Sequence, residues 1–141
     1  MEIKTDNHIE IVKLLVDRQK YMTDLAKDIF NYFTKMFVTL SAGAFAAISL
    51  QKKLTISKEV LEKVFTGIAV LVTVVGIVAI MQIVILLIRW YQYRRLEVKL
   101  SGLEDLKPEW WASIFELMFG LSILASIIII WLGKDVLLSV L

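Results

Sequence analysis

Three polar side chains interrupt the most apolar stretches of the sequence, namely Lys35, Gln82 and Glu116. Counted from the nearest end of each stretch, they lie six, seven and five residues in, which is roughly 8–10 Å at about 1.5 Å per helical residue. A cation, an amide and a carboxylate on three separate helices would therefore share one layer. An unpaired charge at that depth in a membrane costs a few kcal/mol, so we expect each charge to have a partner or a path to water.

The sequence leaves three arrangements of this polar layer open. Lys35 could extend its aliphatic stem so that the ammonium reaches the lipid headgroups, with Glu116 close to the interface. Lys35 and Glu116 could instead form an ion pair, either within a protomer or between neighbours. The third arrangement is a water-lined constriction, in which rings of charged side chains set the ion selectivity.

A membrane environment for these residues follows from the longest uncharged stretch. Residues 64–88 form a run of 25 without a charge, which as a helix covers about 37 Å, more than the roughly 30 Å of a bilayer's hydrocarbon core. Further apolar stretches at 29–50 and 112–132 complete three predicted spans. With 58% apolar residues, the composition also leaves too little polar surface for a soluble globule. We therefore predict an all-α integral membrane protein with three transmembrane helices.

Helical segments are predicted to extend the first two spans beyond the membrane on the cytoplasmic side. Residues 1–28 have the pattern of an amphipathic helix continuous with the first span, and residues 89–101 continue the second. Residues 29–141 then form the three-helix transmembrane region.

Helix ends are predicted from capping residues. Asn7 and Glu10 have the spacing of a capping box, which predicts a helix start at Asn7. Ser57 is expected to cap the second helix, which should end at Ser101, and Pro108 fits the first turn of the third.

Two patterns on the first helix predict packing against other helices. A seam with the 4-3-4-3-4 spacing of a coiled coil contains Ile11, Leu15, Arg18, Met22, Leu25 and Ile29. This cytoplasmic seam should pack either on the second helix of the same chain or across subunits. Small and polar side chains then share one face, made of Asn31, Lys35, Thr39, Ala42, Ala46 and Ser49. Such a face permits the close approach of another membrane helix, so we expect a homo-oligomer.

The distribution of basic residues predicts the orientation. The N-terminal segment and residues 89–111 together carry ten Lys and Arg, whereas residues 51–63 and the C-terminal tail carry five. The positive-inside rule therefore places the N-terminus in the cytoplasm and the C-terminus on the far side; we expect a prokaryotic inner membrane. The predicted interfacial anchors are Trp90, Tyr91, Arg94, Arg95, Trp110, Trp111 and Trp131.

Several functional classes find no support in the sequence. The chain has no cysteine and one histidine, His8, and it contains no phosphate-binding loop or nucleophile motif. We therefore predict no enzymatic activity and no catalytic, cofactor or metal site. The net charge of +2 does not favour nucleic acid as a partner. Secondary transport also fits poorly, because the chain has no internal repeat.

Two functions remain for a small protein of this kind. The first is a homo-oligomeric pore that conducts ions or permeabilises the membrane. One form of this function is an effector that a cytoplasmic protein or small-molecule signal gates. The second is a non-conducting accessory or scaffold subunit of a larger membrane complex. Membrane lipid is an expected partner in both.

Overall fold

Three long helices make up the described part of the chain. The computed structural model describes the backbone at residues 3–54, 57–101 and 113–140 and the side chains at residues 9–50, 57–100, 113–136 and 139. Helix α1 is Ile3–Leu54, α2 is Lys58–Ser101 and α3 is Ile114–Val140. Each is long and apolar enough to cross a membrane, which confirms the all-α prediction with three candidate spans and indicates a membrane protein.

The helix ends agree with the sequence at α2 and differ at α1. The amide of Val60 donates to Ser57 Oγ at 3.4 Å, and the Ser57 carbonyl accepts from the amides of Val60 and Leu61. Ser57 therefore caps α2 as predicted, and α2 is described as far as Ser101; the predicted stop there depends on Gly102, which lies outside the described residues. Helix α1 begins at Ile3, so the predicted start at Asn7 is wrong; the residues before Asn7 continue the helix without a break. Pro108 lies outside the described residues.

Two compact units divide the chain, and every helix contributes to both. Unit 1 contains Met1–Ile29 and Met81–Phe119, and unit 2 contains Phe30–Ile80 and Gly120–Leu141.

The core of unit 1 is a seam between α1 and α2. The cluster contains Met22, Ala26 and Leu86, with Leu25, Ile29, Trp90 and Tyr93 packed against it. On α1 the buried positions are Leu15, Gln19, Met22 and Ala26, which repeat with the 4-3-4 spacing of a coiled coil. The seam of α1 thus packs on the second helix of the same chain.

This buried stripe differs in part from the predicted seam. Leu15 and Met22 are buried and Leu25 and Ile29 are half-buried, whereas Ile11 and Arg18 are exposed. Gln19 is buried one position after Arg18. The helix is therefore rotated slightly from the predicted phase, and a neutral amide takes the place of a guanidinium against α2.

The core of unit 2 closes around a glycine on α2. A Cβ added at Gly76 would lie 2.7 Å from Cδ1 of Ile127 and 3.2 Å from Cε2 of Phe33. The side chains of Ile127 on α3 and Phe33 on α1 therefore pack directly against the backbone of α2 at this point, which a residue without a side chain permits. Buried apolar residues of unit 2 also include Leu61, Phe65, Ala69, Val72, Ala79 and Ile123.

Most of the apolar surface of the three helices lies on the outside. In the most apolar window of each helix only 6%, 22% and 6% of the residues are buried inside the protein. An exposed apolar surface of this extent is far larger than the patches that soluble monomers show. Lipid or other protein chains must cover it.

Candidate functional site

Lys35 lies on the outside of unit 2, opposite the middle of the uncharged stretch of α2. Phe33 contacts Gly76, and Lys35 lies two residues after Phe33. Gly76 is the thirteenth of the 25 uncharged residues at 64–88. The Lys35 side chain is exposed, and its ammonium lies 6.0 Å from the centre of the Tyr32 ring, at the limit of a cation–π contact. The sequence places Lys35 near one end of its span, but the Gly76 contact places it opposite the centre of the uncharged stretch.

The predicted packing face of α1 is unused within unit 2. Asn31, Lys35, Thr39, Ala42, Ala46 and Ser49 are all exposed. Thr39 donates to the Lys35 carbonyl at 2.8 Å and Ser49 to the Phe45 carbonyl at 3.1 Å. Because these hydroxyls are satisfied by their own helix, the face presents a smooth surface of small groups beside one ammonium. The face is thus open to another helix or to water.

Glu116 lies in unit 1 next to a hydroxyl without a partner. The half-buried Glu116 and the buried Ser113 line a cavity of about 10 Å³, together with Met22, Thr23, Leu86, Leu87 and Trp90. Among the described residues, Ser113 Oγ has no hydrogen-bond partner and is 4% exposed at the residue level. A cavity of this size holds about one water molecule, which would satisfy the Ser113 hydroxyl and could reach the Glu116 carboxylate.

The predicted polar layer of Lys35, Gln82 and Glu116 includes residues of both units. This layer and the Lys35–Glu116 ion pair stay predictions. Gln82 is exposed on α2 in unit 1.

A second polar group, which the sequence reasoning missed, lies on α3 in unit 2. The Lys134 ammonium lies 3.8 Å from the Asp135 carboxylate and 5.1 Å from the centre of the Trp131 ring. The Lys134 side chain is 16% exposed and the Asp135 side chain 77%. The sequence assigns these charges to a short tail that either finishes the third helix or lies at the far surface, and α3 continues through them to Val140.

Trp131 shows how deep this group lies relative to α2. Its indole Nε1 donates to Thr73 Oγ1 at 3.0 Å, and Thr73 in turn donates to the Ala69 carbonyl at 2.7 Å. Thr73 is the tenth residue of the uncharged stretch 64–88. Trp131 is predicted to anchor the end of a span, but its polar N–H is bound to the interior of that stretch. Lys134 and Asp135 follow within one helical turn, so they also lie opposite uncharged residues of α2.

An open groove of about 140 Å³ passes beside Lys134. It is lined by Phe37, Ser41, Ala44, Phe45, Phe65, Ile68, Ile129, Ile130 and Gly133 in addition to Lys134. Lys134 is the charged member of an otherwise largely apolar lining. The lysine stem therefore packs in this groove, and its charge is balanced by the exposed Asp135.

A polar cluster occupies the seam of unit 1. Gln19 Nε2 and Arg94 Nη1 both donate to Glu97 Oε2, each at 2.7 Å. Gln19 is 9% exposed, and the side chains of Arg94 and Glu97 are 31% and 14% exposed. A single polar position in an apolar seam fixes the register of the two helices.

The predicted interfacial anchors have mixed surroundings. Arg94 belongs to the polar cluster, Trp90 packs against the apolar core of unit 1, and Tyr91 meets Trp90 edge-on with ring centres 6.0 Å apart. Arg95 is exposed. Trp110 and Trp111 lie outside the described residues.

No protein-family model, no curated protein and no solved structure matches the chain.

Proposed function

We propose that the chain forms a homo-oligomeric membrane pore in which the exposed face of α1 meets a neighbouring copy and an aqueous path. The observation that carries this proposal is the exposed Lys35 opposite the middle of the uncharged stretch of α2. From the middle of that stretch, either end is about 18 Å away along the helix axis. That distance exceeds the reach of a lysine's four-carbon stem, which favours a solvated ammonium within the span over one at the headgroups.

Water or an opposite charge must therefore solvate Lys35. A charged side chain within a membrane helix faces a bundle interior or a water-filled cavity and marks an ion pathway. An oligomer that brings the α1 faces of several copies around one axis supplies such a cavity. A ring of lysines at its wall favours anions over cations.

The N-terminal part of α1 and the C-terminal part of α2 are proposed to lie in the cytoplasm of a prokaryotic cell. The cluster of Gln19, Arg94 and Glu97 and the seam residue Leu15 before it would then form a cytoplasmic stalk. A protein or small-molecule signal that changes the packing of this stalk would act on helices that continue into the pore. In this form the protein is a signal-gated effector.

Ion flux in liposomes tests the pore directly. Wild-type protein, Lys35→Ala and the control Lys58→Ala would be reconstituted, and chloride and potassium flux measured alongside the size of the complex. Lys58 is an exposed lysine in the first turn of α2, outside the uncharged stretch. We expect Lys35→Ala to shift the selectivity from anions towards cations and Lys58→Ala to leave it unchanged.

An intact oligomer without flux, with and without cytoplasmic extract, would contradict the pore. The exposed apolar surface would then contact a larger membrane protein, as in the accessory-subunit hypothesis. Co-purification from native membranes would identify that partner.

A further inference from the structure

In the described part of unit 2, two exposed side chains with charges of different sign lie at the height of the uncharged stretch of α2. They are Lys35 on α1 and Asp135 on α3. The third charge at this level, Lys134, is largely buried against Trp131 and beside Asp135. Among the described residues, Asp135 has Lys134 as an ion-pair partner at 3.8 Å, and Lys35 has none. Lys35 thus lacks a counter-ion among the described residues, and Asp135 keeps a largely exposed carboxylate beside a partner that is largely buried.

Gly76 gives the relative heights of these two charges, because Phe33 and Ile127 both contact it. Lys35 lies two residues beyond Phe33, and Asp135 lies eight residues beyond Ile127. Since α1 and α3 both run antiparallel to α2 here, the difference is about six residues, or roughly 9 Å along the axis. A flexible lysine stem and a carboxylate on facing helices can cover much of that distance.

We propose that Lys35 of one protomer pairs with Asp135 of the neighbouring copy, so that α1 of each subunit docks on α3 of the next. This inference rests on the oligomer of the proposed function and names its interface. Exposed charges of opposite sign whose heights differ by about 9 Å, much of it within reach of the lysine stem, argue for a second copy, because charged groups in membranes pair with one another. A contact between two different surfaces is heterologous, and repeated around an axis it closes a ring.

The proposed Lys35–Asp135 pair also changes the ion selectivity that we expect of the pore. With both charges present, the ring of lysines is accompanied by a ring of carboxylates. Removal of Asp135 should therefore shift selectivity towards anions, and removal of Lys35 towards cations. If Lys35 alone faces the path, removal of Asp135 changes nothing.

Cysteine cross-linking tests the interface without touching the charges, since the chain has no native cysteine. Thr39 lies six residues beyond Phe33 and Leu132 five residues beyond Ile127, so their heights differ by about 1.5 Å. Both are exposed. Differently tagged Thr39→Cys and Leu132→Cys chains would be co-expressed and oxidised in native membranes. We expect mixed dimers between the two tags and no dimers within one tag, because a disulfide needs Cα atoms within about 7 Å.

Val38→Cys in place of Thr39→Cys is the matched control. Val38 is exposed but lies about 100° further round α1, so its cross-linking to Leu132→Cys should be much weaker. Equal cross-linking from both positions would overturn the proposed face.

A double-mutant cycle on this cross-linking background tests the charge pair. We expect Lys35→Met or Asp135→Asn alone to lower the mixed-dimer fraction by about 3- to 30-fold, the range of interhelical polar contacts in membranes. Lys35→Met with Asp135→Asn should lose little more than either change alone. Additive losses would contradict direct pairing.

The size of the complex and its ion flux, measured in the same membranes, separate this inference from the proposed function. An oligomer that conducts without Thr39–Leu132 cross-links would overturn the interface and leave the pore standing. Cross-links in a complex without flux would support the interface and contradict the pore. A monomer would overturn both.

Discussion

The indole N–H of Trp131 donates to the hydroxyl oxygen of Thr73 at 3.0 Å, and this bond fixes the height of α3 against α2 in unit 2. Thr73 also donates to the Ala69 carbonyl, so its hydroxyl is used as both donor and acceptor. In apolar surroundings an indole N–H without an acceptor carries a desolvation cost. The bond therefore joins the two helices at one register and brings Lys134 and Asp135 opposite an uncharged part of α2.

Thr73→Val tests this bond, because valine keeps the shape of threonine and removes the acceptor. We expect the free energy of unfolding to fall by about 1–3 kcal/mol, the cost of leaving a donor unpaired in apolar surroundings. Thr73→Val with Trp131→Phe should recover part of the loss, since phenylalanine has no N–H. Thr34→Val is the control: Thr34 donates to the Phe30 carbonyl of its own helix and is exposed. Denaturant titration in detergent compares these three variants with the wild type, and equal losses at Thr34 and Thr73 would contradict the role of the bond.

Gly76→Ala tests the close approach of three helices in unit 2. The added methyl would meet Ile127 at 2.7 Å and Phe33 at 3.2 Å, and overpacking of this kind costs about 1–3 kcal/mol. Gly67→Ala on the same helix has no atom within 4 Å of its new methyl. Because both changes gain the same helix propensity, the difference between them isolates the packing cost. We expect Gly76→Ala to be the less stable by about 1–3 kcal/mol in the same titration; equal stability would mean that the Ile127 and Phe33 side chains can shift away from the added methyl.

The sequence predicts the helices well and their relative positions poorly. Uncharged stretches and Ser57 are sufficient to place α2, because span length and capping are local properties. The height of α3 against α2 depends on the contacts of Trp131 and Ile127, which no local pattern contains. An aromatic residue near the end of an apolar stretch has the composition of an interfacial anchor, and that composition does not reveal the bond to Thr73.

The sequence does not predict which face of α1 packs on α2, for a related reason. Arg18 and Gln19 are neighbours, and either continues a coiled-coil repeat with one polar member. The choice is made by Glu97 on the partner helix, whose carboxylate accepts from Gln19 and Arg94 together. That acceptor lies 78 residues away in sequence, so the amphipathic pattern of α1 alone cannot select it.

Glu97→Ala should destabilise this seam. It would leave the buried Gln19 amide and the half-buried Arg94 without their shared acceptor, at a cost of about 1–3 kcal/mol. Gln19→Leu should instead be neutral or stabilising, because an apolar residue suits the seam, with some loss of register specificity. Thermal unfolding followed by circular dichroism measures both.

Lys63→Ala provides the control for the Glu97 prediction. It removes an ion pair with Glu59 in which both side chains are about three-quarters exposed, and such pairs contribute less than about 1 kcal/mol. A loss from Lys63→Ala as large as that from Glu97→Ala would show that the Glu97 effect does not come from burial of the cluster.

The predicted orientation, with the N-terminus in the cytoplasm, can be tested with single cysteines. Ten basic residues on the N-terminal side against five on the other favour this topology, and the absence of native cysteine removes background labelling. We expect Ser57→Cys to react with a membrane-impermeant maleimide in intact cells. Asp17→Cys, on an exposed position of α1, should react only after permeabilisation. Neither position should be shielded from the maleimide by burial or by lipid, so the labelling of each reports the side of the membrane on which it lies. The reverse labelling pattern would place the seam and the cluster around Glu97 outside the cell, and gating by a cytoplasmic signal would be abandoned.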